Sequence, residues 1–408
     1  MLARTQADLF SLADEFGPSK VVHISVPGAA LKAIVVVDNV AAGPAIGGTR
    51  MAPEVTLEEC FRLARAMTLK NAAAGLPHGG AKSVIAADPK MRPEDKERTI
   101  RAFATAIRDI TDYIPGPDMG TDETAMAWVH DEIRRAVGLP RELGGIPLDE
   151  IGATGFGVAA AARVAAPFAG INFDGARVVV QGFGAVGQHA ARFLVQSGAR
   201  LVGVSDTGGA IANPKGLDIE TLIHLKKEGR SVKDFKKGKS IGADTLIGLS
   251  CDIWIPAARP DVLRAGNVDQ LDCKLVVQGA NIPATSEAEE RMHARGILSL
   301  PDFIANSGGV ICAAVEYAGG TEASAFAAIE EKITRNTREM LEGARPPHVS
   351  APSGARNHAA THAQDDDLSP VALVRSAGIP TELEEGTPSC RLKTDRARLT
   401  YRSSPNSR

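Results

Sequence analysis

Several things the chain does without narrow its chemistry before any motif is read. A formal net charge of -3 over 408 residues leaves no overall field to attract a phosphate backbone, so nucleic acid is not an expected partner. The one dense basic run, Lys226 to Lys239, is interrupted by Glu228 and Asp234 and reads as a solvated face. No stretch has 18 uninterrupted apolar residues, and Met1 to Lys20 carries Asp8, Asp14 and Glu15 where a signal peptide needs an apolar centre. No membrane partner and a cytoplasmic location are the expectations. The five cysteines, Cys60, Cys251, Cys273, Cys312 and Cys390, are odd in number and widely spaced, with no Cys-x-x-Cys pair. They are expected as buried free thiols in a reducing compartment. No His, Asp and Glu cluster at ligand spacing is present, so no metal is expected.

The length suits two domains, and 44% hydrophobic with 23% charged residues is ordinary for a globular chain. Val21 to Val26 and Leu31 to Asp38 are Val- and Ile-rich strands split by a Pro27-Gly28 turn, and they begin a sheet. Thr56 with Glu59 is a capping-box pattern for a helix on which Leu57, Phe61, Ala64 and Met67 share one face. Lys70 lies one turn further along that face. A cation on a buried stripe needs a reason. Gly75, Pro77, Gly79 and Gly80 then break the helix, and a short strand, Ser83 to Ile85, begins just after Lys82. Two ammonium groups are thus expected at one mouth. Desolvation and like charge there move one of them towards neutral pH as a base, and the other holds a carboxylate.

A second helix is expected from Pro93 to about Asp109. The proline-stiffened loop Ile114 to Thr121 follows and presents Asp118. Local evidence leaves Asp118 open between a catalytic acid and a helix cap, with Thr121 and Asp122 nearer to the capping position. Pro140 to Gly152 is rich in Gly and Pro and is the expected hinge. Beyond it, Arg177 to Gln181 is an apolar strand that runs straight into Gly182-Phe-Gly-Ala-Val-Gly187 and an alanine-rich helix. Leu201 to Ser205 is the next strand and ends in Asp206. That context is the dinucleotide-binding fingerprint: Gly182 for the tight turn, Gly184 for pyrophosphate approach at a helix start with Ala185 and Val186, and Gly187 for close packing. Strands at 252–255, 274–277 and 296–300 alternate with helices, as in a doubly wound parallel sheet. Ala280, Asn281 and Asn306 follow such strands, where ligands bind, although both asparagines also suit turns.

Taken together, Gly47-Gly-Thr-Arg-Met51, the Lys70 to Lys82 stretch, Pro117 to Gly120, Ala153-Thr-Gly155 and Asn306 to Val310 resemble the glutamate/leucine/phenylalanine/valine dehydrogenase family. The resemblance spans about residues 10 to 342. It implies an α/β fold: residues 1–140 as a substrate-binding and oligomerisation domain with a mixed sheet, and residues 141–342 as a Rossmann-type domain for NAD. It implies NAD(P)-dependent oxidative deamination of an L-amino acid to a 2-oxo acid and ammonium, in a homo-oligomer. By position, Lys70 matches the lysine that binds the α-carboxylate, Lys82 the catalytic lysine, and Asp118 the proton-shuttling acid. Thr154, Asn281 and Asn306 match positions lining nicotinamide and ribose, and Gly48 lies on the substrate side.

Glutamate-specific relatives carry a lysine directly before the Gly-Gly pair and a serine downstream of Gly-Gly-Val. Here Ile46 and Ala313 stand there. Burying a second carboxylate beside Ile46 without a cation is costly, so an apolar substrate such as leucine or valine is expected, with phenylalanine or glutamate as alternatives. Asp206 suits a ribose 2'-hydroxyl and repels a 2'-phosphate, so NAD is expected over NADP. Residues 343–408 change character, with prolines recurring among Ser and Arg. A disordered tail is expected there, with a short helix at 368–376, as if the reading frame had changed. A remnant that binds nucleotide without turnover is the rival reading.

Overall fold

The Val- and Ile-rich segments do become neighbouring strands. The computed structural model describes residues 12–343, and its first sheet contains β1 (Lys20–Val26), β2 (Leu31–Asn39), β3 (Ala45–Ala52), β4 (Gly80–Ala86) and β5 (Tyr113–Pro117) in the order β1-β2-β4-β3-β5. β1, β2 and β4 pair antiparallel, whereas β3 runs parallel to both β4 and β5, so the sheet is mixed. α1 (Leu57–Ala73), α2 (Pro93–Ala106) and α3 (Glu123–Ile133) pack on it.

Two local expectations shift. The strand after the glycine turn opens at Gly80 rather than after Lys82, so Lys82 is an interior strand residue opposite Val36. The expected loop at Ile114 is already strand β5. Its two prolines are tolerated because β5 is the outer strand, where a missing N–H breaks no ladder. Helix α1 is capped as its sequence suggests, Thr56 Oγ1 accepting from the Glu59 N–H at 3.1 Å, and Lys70 and Met67 are both on its buried face.

The second lobe is a seven-stranded sheet: β6 (Arg177–Gln181), β7 (Arg200–Asp206), β8 (Gly209–Ala212), β9 (Lys239–Ile241), β10 (Ile253–Pro256), β11 (Leu275–Val277) and β12 (Leu298–Leu300). Its order is β12-β11-β10-β6-β7-β8-β9, parallel from β12 to β7. β8 and β9 add an antiparallel edge that sequence periodicity did not reveal, each being only three or four residues long. The helices here are α4 (Leu148–Ile151), α5 (Ala153–Ala165), α6 (Ala185–Gln196), α7 (Ile219–Lys227), α8 (Ser286–Ala294), α9 (Asp302–Ala305), α10 (Gly308–Tyr317) and α11 (Glu322–Gly343). The run Leu148–Ala169 is apolar over 22 residues, and 67% of its most apolar window is buried, as for a core helix.

The lobes are joined by more than the chain between them. Backbone carbonyls at a helix C-terminus have no intrahelical partner. Those of Ala73 and Ala74, at the end of α1, accept from Asn336 Nδ2 at 2.6 Å and Lys332 Nζ at 3.0 Å, both on α11. Ile46, Ala74 and Leu76 from the first lobe belong to the same apolar cluster as Ala313, Ile329 and Ile333 of the second. The expectations for residues 344–408, including Cys390 and the 368–376 helix, lie outside the described residues.

Contact between α1 and β4 depends on Gly80, where an added Cβ would sit 2.0 Å from the Thr68 backbone nitrogen. Backbone cannot give way as a flexible side chain does. Gly80→Ala is expected to lower the unfolding free energy by about 1–3 kcal/mol, read from urea denaturation against wild type.

Candidate active site

Strand β3 alternates its side chains, so Ile46, Gly48 and Arg50 share one face. That face meets the end of β5 and the middle of β4. Asp118 Oδ2 accepts from Arg50 Nε at 2.8 Å and lies 3.1 Å from Lys82 Nζ, and Arg50 reaches on to Glu59 Oε1 at 2.5 Å. Gly48 makes this approach feasible. A Cβ there would sit 2.8 Å from Asp118 Cβ and 3.1 Å from Lys82 Nζ. Thr121 fixes the acid's backbone, its hydroxyl donating to the Thr49 carbonyl at 2.7 Å and accepting from the Asp118 N–H at 3.0 Å. Burial opposes ionisation of Asp118, but the Lys82 and Arg50 charges outweigh it and hold the carboxyl below its ordinary range. Capping of α3 falls to Asp122, which accepts from the Ala125 N–H at 2.9 Å and leaves Asp118 free of that duty.

Lys70 comes to the same place from α1. Its Nζ donates to Asn281 Oδ1 in the opposite lobe, and Asn306 Nδ2 donates to that same oxygen at 3.2 Å and to the Ala280 carbonyl at 3.0 Å. Burial, partly offset by the Asp302 carboxylate, and then the Lys82 charge set the Lys70 amine; the net result is a pKa lowered to about 8. The lowered amine is therefore Lys70, the lysine matched to the α-carboxylate, which corrects the expectation that lowering marks the base. Thr154, at the start of α5, packs beside Gly308 and Gly309, where added Cβ atoms would press on Thr154.

The crevice between β6 and β10, where the strand order reverses, lies alongside. Gly182 has φ +93, and a Cβ on it would strike Ala257 and Ala258 after β10. A Cβ at Gly187 would sit 1.9 Å from the Gly182 carbonyl oxygen, whereas nothing lies within 4 Å of one at Gly184. The opening turn of α6, with Ala185 and Val186, thus presents free N–H groups to an open cradle that fits a pyrophosphate. The Asn306 Oδ1 and Gln181 Oε1 atoms beside it are buried without a protein partner, as suits residues that await a ligand.

Comparison with known proteins matches two family profiles: Glutamate/Leucine/Phenylalanine/Valine dehydrogenase over residues 144–365, and the Glu/Leu/Phe/Val dehydrogenase dimerisation domain over residues 18–135. The chain belongs to this dehydrogenase family. A glutamate dehydrogenase of Aeropyrum pernix is 39% identical over 323 residues, 74% of this chain and 77% of its own length. An NADP-specific glutamate dehydrogenase of Saccharolobus shibatae is 39% identical over 294 residues, 69% of each chain. Among solved structures, the hetero-hexameric glutamate dehydrogenase from Thermus thermophilus in a leucine-bound form is 29% identical, with a TM-score of 0.74 over 80% of this chain and 84% of that one. The protein is accordingly an NAD(P)-dependent amino acid dehydrogenase, and the family match runs past residue 342, further than the motifs alone carried it.

For this dehydrogenase, three placements differ from the sequence reading. Asp206 does end β7, but both its oxygens are engaged: Oδ1 by the Gly208 N–H and the Ser231 hydroxyl, Oδ2 by Lys226 Nζ at 2.7 Å and the Val232 N–H. Lys226 is therefore a partner of the fingerprint acid rather than part of a solvated face. Arg50, quoted within a motif but given no role, is the second cation on Asp118, and the two-residue strand period from Gly48 was the signal for it. Asp149, on α4, was not singled out at all. Its crowded surroundings, then the Glu123 and Asp118 charges, push its carboxyl up to about 6 while its side chain stays open to solvent in the cleft. Ile46 and Ala313 are both buried and belong to one apolar cluster, and Lys70 and Lys82 are buried as well.

Folding strips water from the Lys70 amine, so its ammonium form is destabilised relative to the unfolded chain, where lysine titrates near 10.4. The penalty is complete below pH 8 and fades as pH rises from about 8 through that value. Lys70→Met is expected to be more stable than wild type at pH 7, by up to about 3 kcal/mol. The difference should shrink towards pH 10 when urea unfolding is followed across pH.

Proposed function

We propose that the protein carries out the NAD(P)-dependent oxidative deamination of an apolar L-amino acid of the leucine or valine type, giving the 2-oxo acid and ammonium. The observation that carries this reading is that Ile46 and Ala313, buried in one apolar cluster, stand where the resemblance puts a lysine and a serine in glutamate-specific relatives. Arg50, on the same strand face as Ile46, is already engaged by Asp118 and Glu59. A glutamate side chain would enter without a counter-ion, at a cost of several kcal/mol. Glutamate remains the second reading because the named relatives are glutamate dehydrogenases.

In this reading Lys70 binds the α-carboxylate, whose charge restores the ammonium form that burial disfavours. When bound, the nicotinamide supplies the acceptor for the hydride of the α-carbon. Asp118 Oδ2 takes a proton from the substrate amino group and later returns one to the departing ammonia. Asp118, its first proton passed to solvent, takes a proton from the attacking water and hands it to the departing nitrogen. Lys82 donates from Nζ to the developing carbonyl oxygen, and the hydroxyl proton leaves with ammonia as ammonium. Arg50 orients Asp118 and keeps it ionised between proton transfers. Asn306 and Asn281, with Thr154, suit the nicotinamide and ribose side of the cleft, and Gly182, Gly184 and Gly187 the pyrophosphate. A homo-oligomer built through the first lobe is part of the same reading.

Purified enzyme is expected to give a higher kcat/KM for leucine or valine than for glutamate, with phenylalanine between them. A preference for glutamate would sink the pocket argument. Lys82→Ala should lose turnover by at least about a hundredfold while still quenching NADH fluorescence normally.

NAD is the preferred carrier in this proposal, but only modestly, because Lys226 offsets the Asp206 charge that would repel a 2'-phosphate. Lys226→Ala should therefore lower kcat/KM for NADP more than for NAD. An unchanged ratio between the two cofactors would show that the pair takes no part in the choice.

A further inference from the structure

The second lobe holds a thiol pair that the dehydrogenase chemistry does not use. Cys251 and Cys273 lie just ahead of β10 and β11, neighbouring parallel strands whose register sets Ile253 opposite Leu275 and Trp254 opposite Val276. Carried back two residues, that register sets Cys251 opposite Cys273. Backbone bonds keep the strands together there, from the Cys251 N–H to the Asp272 carbonyl at 3.0 Å and from the Lys274 N–H to the Asp252 carbonyl at 3.2 Å. The chain bends at both Asp252 and Lys274, and both cysteines turn into the apolar cluster that contains Trp254 and Val276.

Both thiols are free. Cys251 is buried, while Cys273 is only half-buried and can be reached from solvent. Interaction with the Cys273 thiol, and then burial, pushes the Cys251 thiol far above its ordinary range. First attack on an oxidant therefore falls to Cys273. The other described cysteines, Cys60 on α1 and Cys312 on α10, belong to other apolar clusters.

We propose that Cys251 and Cys273 form a reversible dithiol–disulfide site, closed in the folded protein by a small disulfide of the oxidised-glutathione class. The Cys273 sulfur, as thiolate, attacks one sulfur of the reagent. The reagent's S–S bond breaks, and one thiolate leaves and takes up a proton. Cys251 then gives its proton to solvent, and its sulfur attacks the Cys273 sulfur of the mixed disulfide and expels the second thiolate. The two protein thiols lose two electrons, and the reagent gains them as two thiols. The link ties the amino ends of β10 and β11, at the opposite end of these parallel strands from Gly182 and Asn281, so the cofactor crevice is left as it was.

The test treats native full-length enzyme with oxidised glutathione, blocks remaining thiols with iodoacetamide and maps the peptides. The expected result is a Cys251–Cys273 link within one chain, opened by dithiothreitol, in protein that retains turnover. Cys251→Ser should stop at a stable glutathione adduct on Cys273. A second probe needs no variant: one equivalent of phenylarsine oxide, which bridges paired thiols, should protect both cysteines from alkylation. A persistent glutathione adduct on Cys273 in wild type, a link found only in protein that has lost turnover, or arsenical protection of one cysteine alone would overturn the proposal.

Discussion

A carboxylate deprived of water must be repaid by cations, and most of this structure's first lobe serves that requirement at Asp118. Lys82 and Arg50 reach one of its oxygens from neighbouring strands, and Glu59 in turn balances the excess charge on Arg50. Burial alone would favour the neutral form of Asp118, so the carboxylate depends on the two cations beside it. The glycine at position 48 follows from the same constraint, because any side chain would wedge the acid away from the lysine. The edge position of β5 follows too: it lets a Pro-Gly-Pro strand deliver Asp118 without breaking a ladder.

Lys70 is outside this balance, and that difference gives it its character. Among the described residues it has no carboxylate in direct contact; it meets the Asn281 side-chain oxygen of the other lobe and feels the more distant Asp302 and Asp118 charges. An amine left short of negative charge in a dry cleft suits an anion, and in the function proposed above its pull on an α-carboxylate is the energy that folding withheld. The cleft is held in register by α11, whose Lys332 and Asn336 satisfy the free carbonyls of the helix that carries Lys70. A helix of the nucleotide lobe thus steadies the substrate lysine from behind, while Asn281 meets it from the front.

Much of this was legible before any coordinates. The capping pair Thr56 and Glu59, the stripe that brings Lys70 inward, and the strand–glycine–helix fingerprint are local patterns with local causes, and they appear where the sequence set them. What was not legible depended on partners distant in sequence. Lys226 looked like one more cation in a basic run until β7 and α7 were packed together and Asp206 faced it. Arg50 was within reach of sequence reasoning, since two residues along a strand return to the same face, but β3 itself has two glycines and little β-branching and did not announce a strand. The antiparallel β8–β9 edge is too short for periodicity to register.

The same distinction bears on how far likeness carries to substrate. Nearly 40% identity to glutamate enzymes reflects shared lobes, shared lysines and a shared acid, all of which act on the α-carbon end common to every amino acid. In the function proposed above, side-chain choice is made elsewhere, by positions such as 46 and 313 that contribute almost nothing to an overall score. The physics there is lopsided. An apolar wall accepts or declines a methylene for roughly 1–3 kcal/mol, whereas a carboxylate facing that wall unpaired loses its hydration with nothing in return. In that proposal a single isoleucine in place of a cation outweighs many matched residues in deciding which side chain can enter, while the fold and the fingerprint stay untouched.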